Sequence, residues 1–171
     1  MQRVRIASPI GEIGCLVRDG VLVGVAFEGD EGGTFGHVQR RFAGEELRDA
    51  HEAGGVRAAF DRYFAGDAQA LDALPVDPGG TPFQAKVWMA LREIAAGQTW
   101  SYQDLARRVG SPAAVRAVGA ANGANPIPLV LPCHRVIGKN GKLVGYGGGM
   151  ARKAWLLRHE GWELASQELL L

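Results

Sequence analysis

Residues 72–81, DALPVDPGGT, divide the chain. Two prolines fix φ and lack an N–H, and two adjacent glycines favour a turn, so neither a helix nor a central strand runs through them. The charge changes sign at the end of this stretch. Residues 1–81 carry 8 Lys/Arg against 13 Asp/Glu, a net −5; residues 82–171 carry 11 against 5, a net +6. A chain of 171 residues suffices for one ordinary domain or two small ones. The break sets two domains, 1–80 and 81–171. The basic second half points to an anionic partner, although two solvated surfaces that merely differ give the same sums.

A hydrophobic content of 47% with 22% charged residues predicts a packed core. No apolar run reaches about 18 residues, so no membrane span is expected. The first residues, MQRVR, lead into alternating strand-like sequence, which predicts no signal segment. Cys15 and Cys133 stand far apart and make no disulfide framework, so a reducing, cytoplasmic setting is expected.

The first half reads as strands, then helices. Val4 and Ile6 alternate with Arg3 and Arg5, SPIG at 8–11 is a turn, and Arg18-Asp19-Gly20 closes a hairpin into VLVGVAF at 21–27. Phe35 to Phe42 and Val56 to Phe64 read as helices.

The second half is denser in helix signals. Thr81 caps a helix with Pro82 in its first turn and Phe83, Val87, Leu91 and Ile94 along one face. Ser101 caps a second, Tyr102 to Val109, and a third runs from about Ala113 to Gly123. Two short helices around the Gly110-Ser111-Pro112 break make a helix-turn-helix candidate. In the third helix Ala113, Ala117, Ala120 and Ala121 recur at helical spacing around Arg116, with Val115 and Val118 turned to a core. Gly119 costs about 1 kcal/mol there relative to Ala, so it needs a reason. A small-residue face allows either close helix packing or entry into a narrow groove. The DNA minor groove, about 6 Å wide, is such a groove. Arg152 to His159 closes the chain's helices.

The run LVLPCHRVIG at 129–138 puts a thiol, an imidazole and a guanidinium among apolar residues. A thiol is nucleophilic as thiolate, and a neighbouring imidazole or cation favours that form. In an extended segment, neighbours point to opposite faces, so His134 need not touch Cys133. Glu160 is a candidate to orient His134 as the third member of a relay. A buried, inert cysteine is the other reading; it is the one that fits Cys15.

SYQDLA, RAVGAANGANPIP, LPCHRVIG, GYGGG and KAWLLRHEG stand here in one order. In these motifs the chain resembles the O6-alkylguanine-DNA alkyltransferases, strongly over residues 81–162 and loosely over 1–80. The resemblance implies an α+β (α/β) fold: a small ribonuclease-H-like N-terminal domain with an antiparallel sheet, then a mostly helical domain with a helix-turn-helix. It implies a repair protein that moves an alkyl group from O6-alkylguanine, and also O4-alkylthymine, to its own cysteine in one turnover. The partner implied is double-stranded DNA, bound as a monomer through the minor groove with the damaged base flipped out.

By the same resemblance, Cys133 is the acceptor, His134 its activator through a water, and Glu160 the residue that fixes the imidazole. Asn125 ties the recognition helix to the active-site loop. Arg116 fills the gap left by the flipped base, and Tyr102 crowds a phosphate and gives a proton to the departing base. Val136, Tyr146 and Gly147 line the guanine pocket. Gln84, Gln103, Ser111, Lys139 and Arg135 fall at the DNA, with Ala113, Ala117, Gly119 and Ala120 as the face that enters the groove. Nearby positive charge and burial oppose each other, so the thiol is expected to titrate below a free cysteine without being permanently ionised.

Two departures bear on this. Ala114-Val115 precede Arg116 where many relatives have Ala-Ala. Some relatives hold zinc in the N-terminal domain, but Cys15 is the only cysteine in that half and does not align with those ligands, so neither metal nor cofactor is expected. Two other functions fit parts of the pattern: a non-catalytic reader of alkylated DNA, and a Cys-His hydrolase. Relatives of the first kind have Trp or Ala where this chain has Cys133. The second lacks an evident oxyanion element.

Overall fold

Alternation of Val4 and Ile6 with Arg3 and Arg5 yields strand β1, Gln2–Ile6, whose apolar side chains are buried. β2, Ile13–Arg18, and β3, Val21–Phe27, are apolar almost throughout and are buried along nearly their whole length. In the computed structural model, which describes residues 1–163, these strands join into a sheet of order β3-β2-β1-β4. β1–β2 and β2–β3 are antiparallel, with a register shift at Leu16/Val17. β4, Arg48–Asp49, runs parallel to β1, so the sheet is not wholly antiparallel as expected. Two polar residues give no hydrophobic signal. The pairing is held instead by Arg3, whose guanidinium donates to both carboxylate oxygens of Asp49 at 2.7 and 3.1 Å.

Helix α1, Glu31–Arg41, begins four residues before its expected start. Its Phe35 and Val38 pack on Leu16, Val23 and Ala26. Gly14 makes this possible, because a Cβ there would stand 2.7 Å from the Phe35 ring. Helix α2, Val56–Phe64, buries Val56, Ala59, Phe60 and Tyr63. Its first turn is held by Glu52, which accepts from the N–H groups of Arg57 and Ala58 at 2.9 and 3.0 Å.

The described residues divide into two compact units. One is Met1–Gly79 with Pro126–Val130; the other is Gly80–Asn125 with the chain from Leu131 onward. Pro126–Val130 was expected in the second domain. It belongs to the first unit, where the Pro126 carbonyl accepts from Val25 N at 2.9 Å. Among the described residues no helix is long and apolar enough to cross a membrane.

In the second unit, helix α3 spans Pro82–Leu91. Thr81 Oγ1 accepts from Gln84 N at 3.1 Å and Thr81 N donates to Gln84 Oε1 at 3.0 Å, a reciprocal cap. Ser101 and Asp104 repeat the device at the start of α4, Tyr102–Arg108. Helix α5 is Val115–Gly123, so Ala113 lies before it and not on its face. Trp88 of α3, buried, donates its indole N–H to the Ala121 carbonyl at 2.6 Å. Ala121 itself is buried, whereas Arg116, Ala117 and Ala120 are exposed. A short parallel pair joins β5, Trp100–Ser101, to β6, Val136–Ile137, and α6, Met150–His159, follows.

Candidate active site

The segment holding the cysteine is not extended. Arg135 N donates to the Pro132 carbonyl at 3.0 Å and Cys133 N to that of Leu131 at 2.8 Å, which winds Cys133–Arg135 into one 3₁₀ turn. The β5–β6 pairing sets Ser101 beside Ile137, so the first residue of α4, Tyr102, starts next to this turn. Asn125, just past α5, donates its side-chain amide to the Leu131 carbonyl at 2.7 Å and also hydrogen-bonds the Cys133 thiol. The end of α5 and the cysteine turn are thereby joined through one side chain.

Behind the turn, α6 presents Lys153, Leu156 and Leu157 on one buried face, and Glu160, its C-cap, is buried with them. Glu160 Oε1 lies 2.9 Å from His134 Nε2. The Arg135 guanidinium donates to both oxygens of the same carboxylate, each at 2.9 Å, and to the Ile94 carbonyl at 2.6 Å. Arg135 was expected at the DNA. It is only 4% exposed, and it faces inward because a 3₁₀ turn, unlike a strand, can send His134 and Arg135 to one partner.

The charges set the tautomer. Burial alone would raise the Glu160 carboxyl, but His134 and Arg135 outweigh it and hold the group well below the usual carboxylate range. Burial lowers the His134 imidazole, against the pull of Glu160, so the ring is neutral near pH 7. A carboxylate accepts only, so Nε2 carries the proton and donates to Glu160. Nδ1, which has no hydrogen-bond partner among the described residues, then carries the lone pair. It is the basic atom of the site.

Cys133 is 5% exposed. Burial pushes its thiol up, only partly offset by the Asn125 hydrogen bond, the Lys153 charge and the N–H groups of Cys133 and His134. Burial thus acts against the expectation of a thiol below the free value. The Arg135 charge is matched by Glu160 and the imidazole is neutral, so Lys153 is the cation left to favour a thiolate, and burial outweighs it. The resting group is the thiol.

Lys153, fully buried, donates from Nζ to the carbonyls of Val136 at 2.7 Å, Val144 at 2.9 Å and Gly145 at 3.3 Å. Burial brings it down to about 8. It ties β6 to the loop that carries half-buried Tyr146 and exposed Gly147. Sequence reasoning passed over it. The available signal was its spacing: Lys153, Leu156, Leu157 and Glu160 repeat at 3, 4 and 7 on one helix face.

Other expected residues lie apart from this cluster. Arg116, Ala117, Ala120 and Lys139 are exposed, and Gly119 and Ser111 are half-buried. Gln84 serves the cap of α3, and Gln103 donates to the Pro112 carbonyl at 3.2 Å. Among the described residues no group of three His, Cys, Asp or Glu could hold a metal ion. Cys15 is fully buried in the first unit, and burial pushes its thiol far up.

Fold and site define a mixed α/β chain whose helical unit buries a cysteine next to a carboxylate-held imidazole. A family model described as 6-O-methylguanine DNA methyltransferase, DNA binding domain, matches residues 82–162. A methylated-DNA–protein-cysteine methyltransferase of Salmonella typhimurium is 54% identical over 128 residues, 75% of each chain. The crystal structure of Mycobacterium tuberculosis OGT in complex with DNA superposes with a TM-score of 0.80 at 36% identity over the whole of both chains. That of the O6-methylguanine-DNA methyltransferase of Pyrococcus kodakaraensis gives 0.71 at 26% identity, covering 94% of this chain and 98% of that one. The chain belongs to the methylated-DNA–protein-cysteine methyltransferase family.

Proposed function

We propose that this protein repairs alkylated DNA by moving the alkyl group from O6 of guanine to Sγ of Cys133, once per molecule. The observation that carries the reading is a buried thiol in one turn with an imidazole whose Nε2 is held by Glu160 at 2.9 Å, within a chain of this family.

The chemistry follows from the tautomer. Nδ1 of His134, directly or through a water, takes the thiol proton as sulfur attacks the alkyl carbon. Glu160 stabilises the imidazolium that forms. The C–O6 bond breaks and its electron pair stays with the base, which takes a proton from Tyr102 and leaves as neutral guanine. The new thioether has no easy hydrolytic exit, so the protein is consumed. A thiol held protonated at rest is spared wasteful oxidation and becomes nucleophilic only as the proton leaves.

The target oxygen lies inside the duplex, so the base is extruded, at a cost of a few kcal/mol. Helices α4 and α5 act as a helix-turn-helix. The exposed face of α5, with Arg116, Ala117 and Ala120, enters the minor groove, and Arg116 holds the space the base has left. Val136, Tyr146 and Gly147 line the pocket that receives it. O4-alkylthymine presents a similar alkyl–oxygen bond and is a second substrate. The protein works as a monomer with no cofactor, in a reducing cytoplasm.

Mass spectrometry tests this. After incubation with duplex DNA holding one O6-methylguanine, the peptide with Cys133 gains one methyl group, with one DNA repaired per protein. Repeated turnover, or repair with Cys133 unmodified, overturns the reading.

A further inference from the structure

One oxygen of a carboxylate is enough to hold an imidazole, yet Glu160 is gripped at both. Its side chain is fully buried. Arg135 Nε donates to Oε1 and Nη2 to Oε2, each at 2.9 Å, and Oε1 is shared with His134 Nε2, also at 2.9 Å. The last torsion of a glutamate is broad, so a single partner leaves the plane of its carboxylate loose. A two-pronged guanidinium fixes that plane. The remaining prong, Nη1, donates to the Ile94 carbonyl at 2.6 Å. Further along the same segment stands Gly97, at φ +83°, where a Cβ would lie 3.0 Å from the Glu160 carbonyl oxygen. The segment from Ile94 to Gly97 therefore seats on both members of the pair.

The same contacts divide a charge. Cys133 and Arg135 stand beside His134 in its own turn. Helix α6 and its cap bring Lys153 and Glu160, and α4 starts with Tyr102 next to the turn. Helix α3 also packs on the turn, but its buried residues, Val87, Trp88, Ala90 and Leu91, carry no titratable group. Among these groups Glu160 is the only carboxylate. Burial lowers the imidazole, Glu160 raises it and Arg135 lowers it again. Without Arg135 the full carboxylate charge would fall on the ring, and the His134–Glu160 pair would take up a proton at higher pH. A ring already protonated cannot act as a base.

We propose that Arg135 is a positioning residue for alkyl transfer: its guanidinium fixes the plane of the Glu160 carboxylate and shares its charge, so that Oε1 orients His134 without holding it as an imidazolium. This rests on the reading of His134 as the base given above. Arg135 thus acts on the reaction from behind the imidazole and not at the duplex.

The test is single-turnover transfer from O6-methylguanine duplex, followed from pH 5 to pH 9 in wild type, Arg135→Met, Arg135→Lys and His134→Gln. The His134 ring is titrated by NMR in parallel. Methionine occupies the buried space and removes the charge. Arg135→Met is expected to slow transfer about tenfold at pH 7 and to move the acid limb of the rate profile, with the titration of the ring, up by about one pH unit. Arg135→Lys keeps a charge but not the fork. Its acid limb should stay at the wild-type position while its rate at high pH falls about threefold. Should the methionine variant not fold, Arg135→Gln, which keeps a donor and lacks the charge, takes its place with the same expected shift. A wild-type rate in His134→Gln overturns the reading of His134 itself. With His134→Gln slow, an acid limb and a ring titration left unmoved by Arg135→Met overturn the role of Arg135 alone. A merely structural arginine would lower the rate without moving either.

Discussion

Glu160 Oε1 lies 2.9 Å from His134 Nε2, and Arg135 Nε lies 2.9 Å from the same oxygen. One carboxylate thus sets the imidazole tautomer and neutralises a buried guanidinium. Glu160→Gln keeps the shape and removes the charge from both. Transfer is expected to slow by about 10²-fold or more, the usual scale of general base catalysis. Stability is expected to fall by about 3 kcal/mol, because a buried charge is left unpaired. Affinity for DNA should stay within about threefold for the folded variant, since Glu160 is buried. Single-turnover rates, urea denaturation and DNA titration measure the three effects. An unaltered rate across neutral pH would remove Glu160 from the reaction.

Two groups of the site make the fold sensitive to acid. The folded-state value of His134 lies below 6.5 and that of Glu160 below 4.5. Each group binds fewer protons folded than unfolded just below its ordinary value, so stability falls as pH drops through that range. The contribution of His134 is complete above about 6.5 and declines below it; that of Glu160 declines below about 4.5 and on through its folded value. Melting temperatures from pH 8 to pH 4 should show both, and His134→Gln should flatten the part near pH 6. A wild-type melting temperature that is level from pH 7 to pH 4 would contradict the buried arrangement.

How much of this was legible depended on distance along the chain. The caps at Thr81 and Ser101 were readable because their partners, Gln84 and Asp104, sit three residues away. The pairing of His134 with Glu160 came from motif resemblance and not from periodicity, since 26 residues separate them. Arg135 was misplaced because the resemblance set it at the DNA, whereas the turn wound on the Leu131 and Pro132 carbonyls sends it inward to Glu160. Lys153 was passed over because composition treats a lysine on a short helix as solvated. Only tertiary packing shows three carbonyls around it. β4 was invisible for a similar reason: its pairing lies in the backbone and one ion pair, not in apolar side chains.

Lys153→Met leaves three carbonyls without their common donor. A loss of about 3 kcal/mol is expected, with slower transfer as the loop bearing Tyr146 and Gly147 loosens. The pH dependence identifies the lysine. Its folded value is lowered from 10.5 to about 8, so the unfolded chain binds more protons between those limits. Stability from this group therefore rises with pH across that window. The Cys133 thiol, raised by burial, acts in the opposite direction there. The difference between wild type and Lys153→Met isolates the lysine; it should be smallest below about pH 8 and grow as pH rises toward 10.5. A pH-independent difference from pH 7 to pH 10 would refute it.

Ala120 is exposed on α5, on the same face as Arg116 and Ala117. Ala120→Leu meets no core, so stability should stay within about 0.5 kcal/mol. A side chain of that size blocks a groove about 6 Å wide, and binding to duplex DNA should weaken by about tenfold or more. Fluorescence anisotropy with undamaged duplex measures it. Undiminished affinity would move the contact surface off this face of α5.

The role proposed for Arg116 separates extrusion of the base from chemistry on it. The residue is exposed, so Arg116→Ala should leave the fold intact. It supplies one positive charge to a contact that phosphate neutralisation dominates, so the slope of log affinity against log salt should fall by about 1. On the proposed reading its larger effect comes after binding, where the guanidinium would occupy the space of the extruded base and keep the stack from closing. Repair of duplex O6-methylguanine should slow by about tenfold or more. Transfer from free O6-benzylguanine, which needs no extrusion, should stay near the wild-type rate, because Arg116 lies apart from the buried cluster of Cys133, His134 and Glu160. Single-turnover assays on both substrates, at saturating protein, make the comparison. Equal losses on the two would mean that Arg116 acts on the cysteine site itself and not on the duplex.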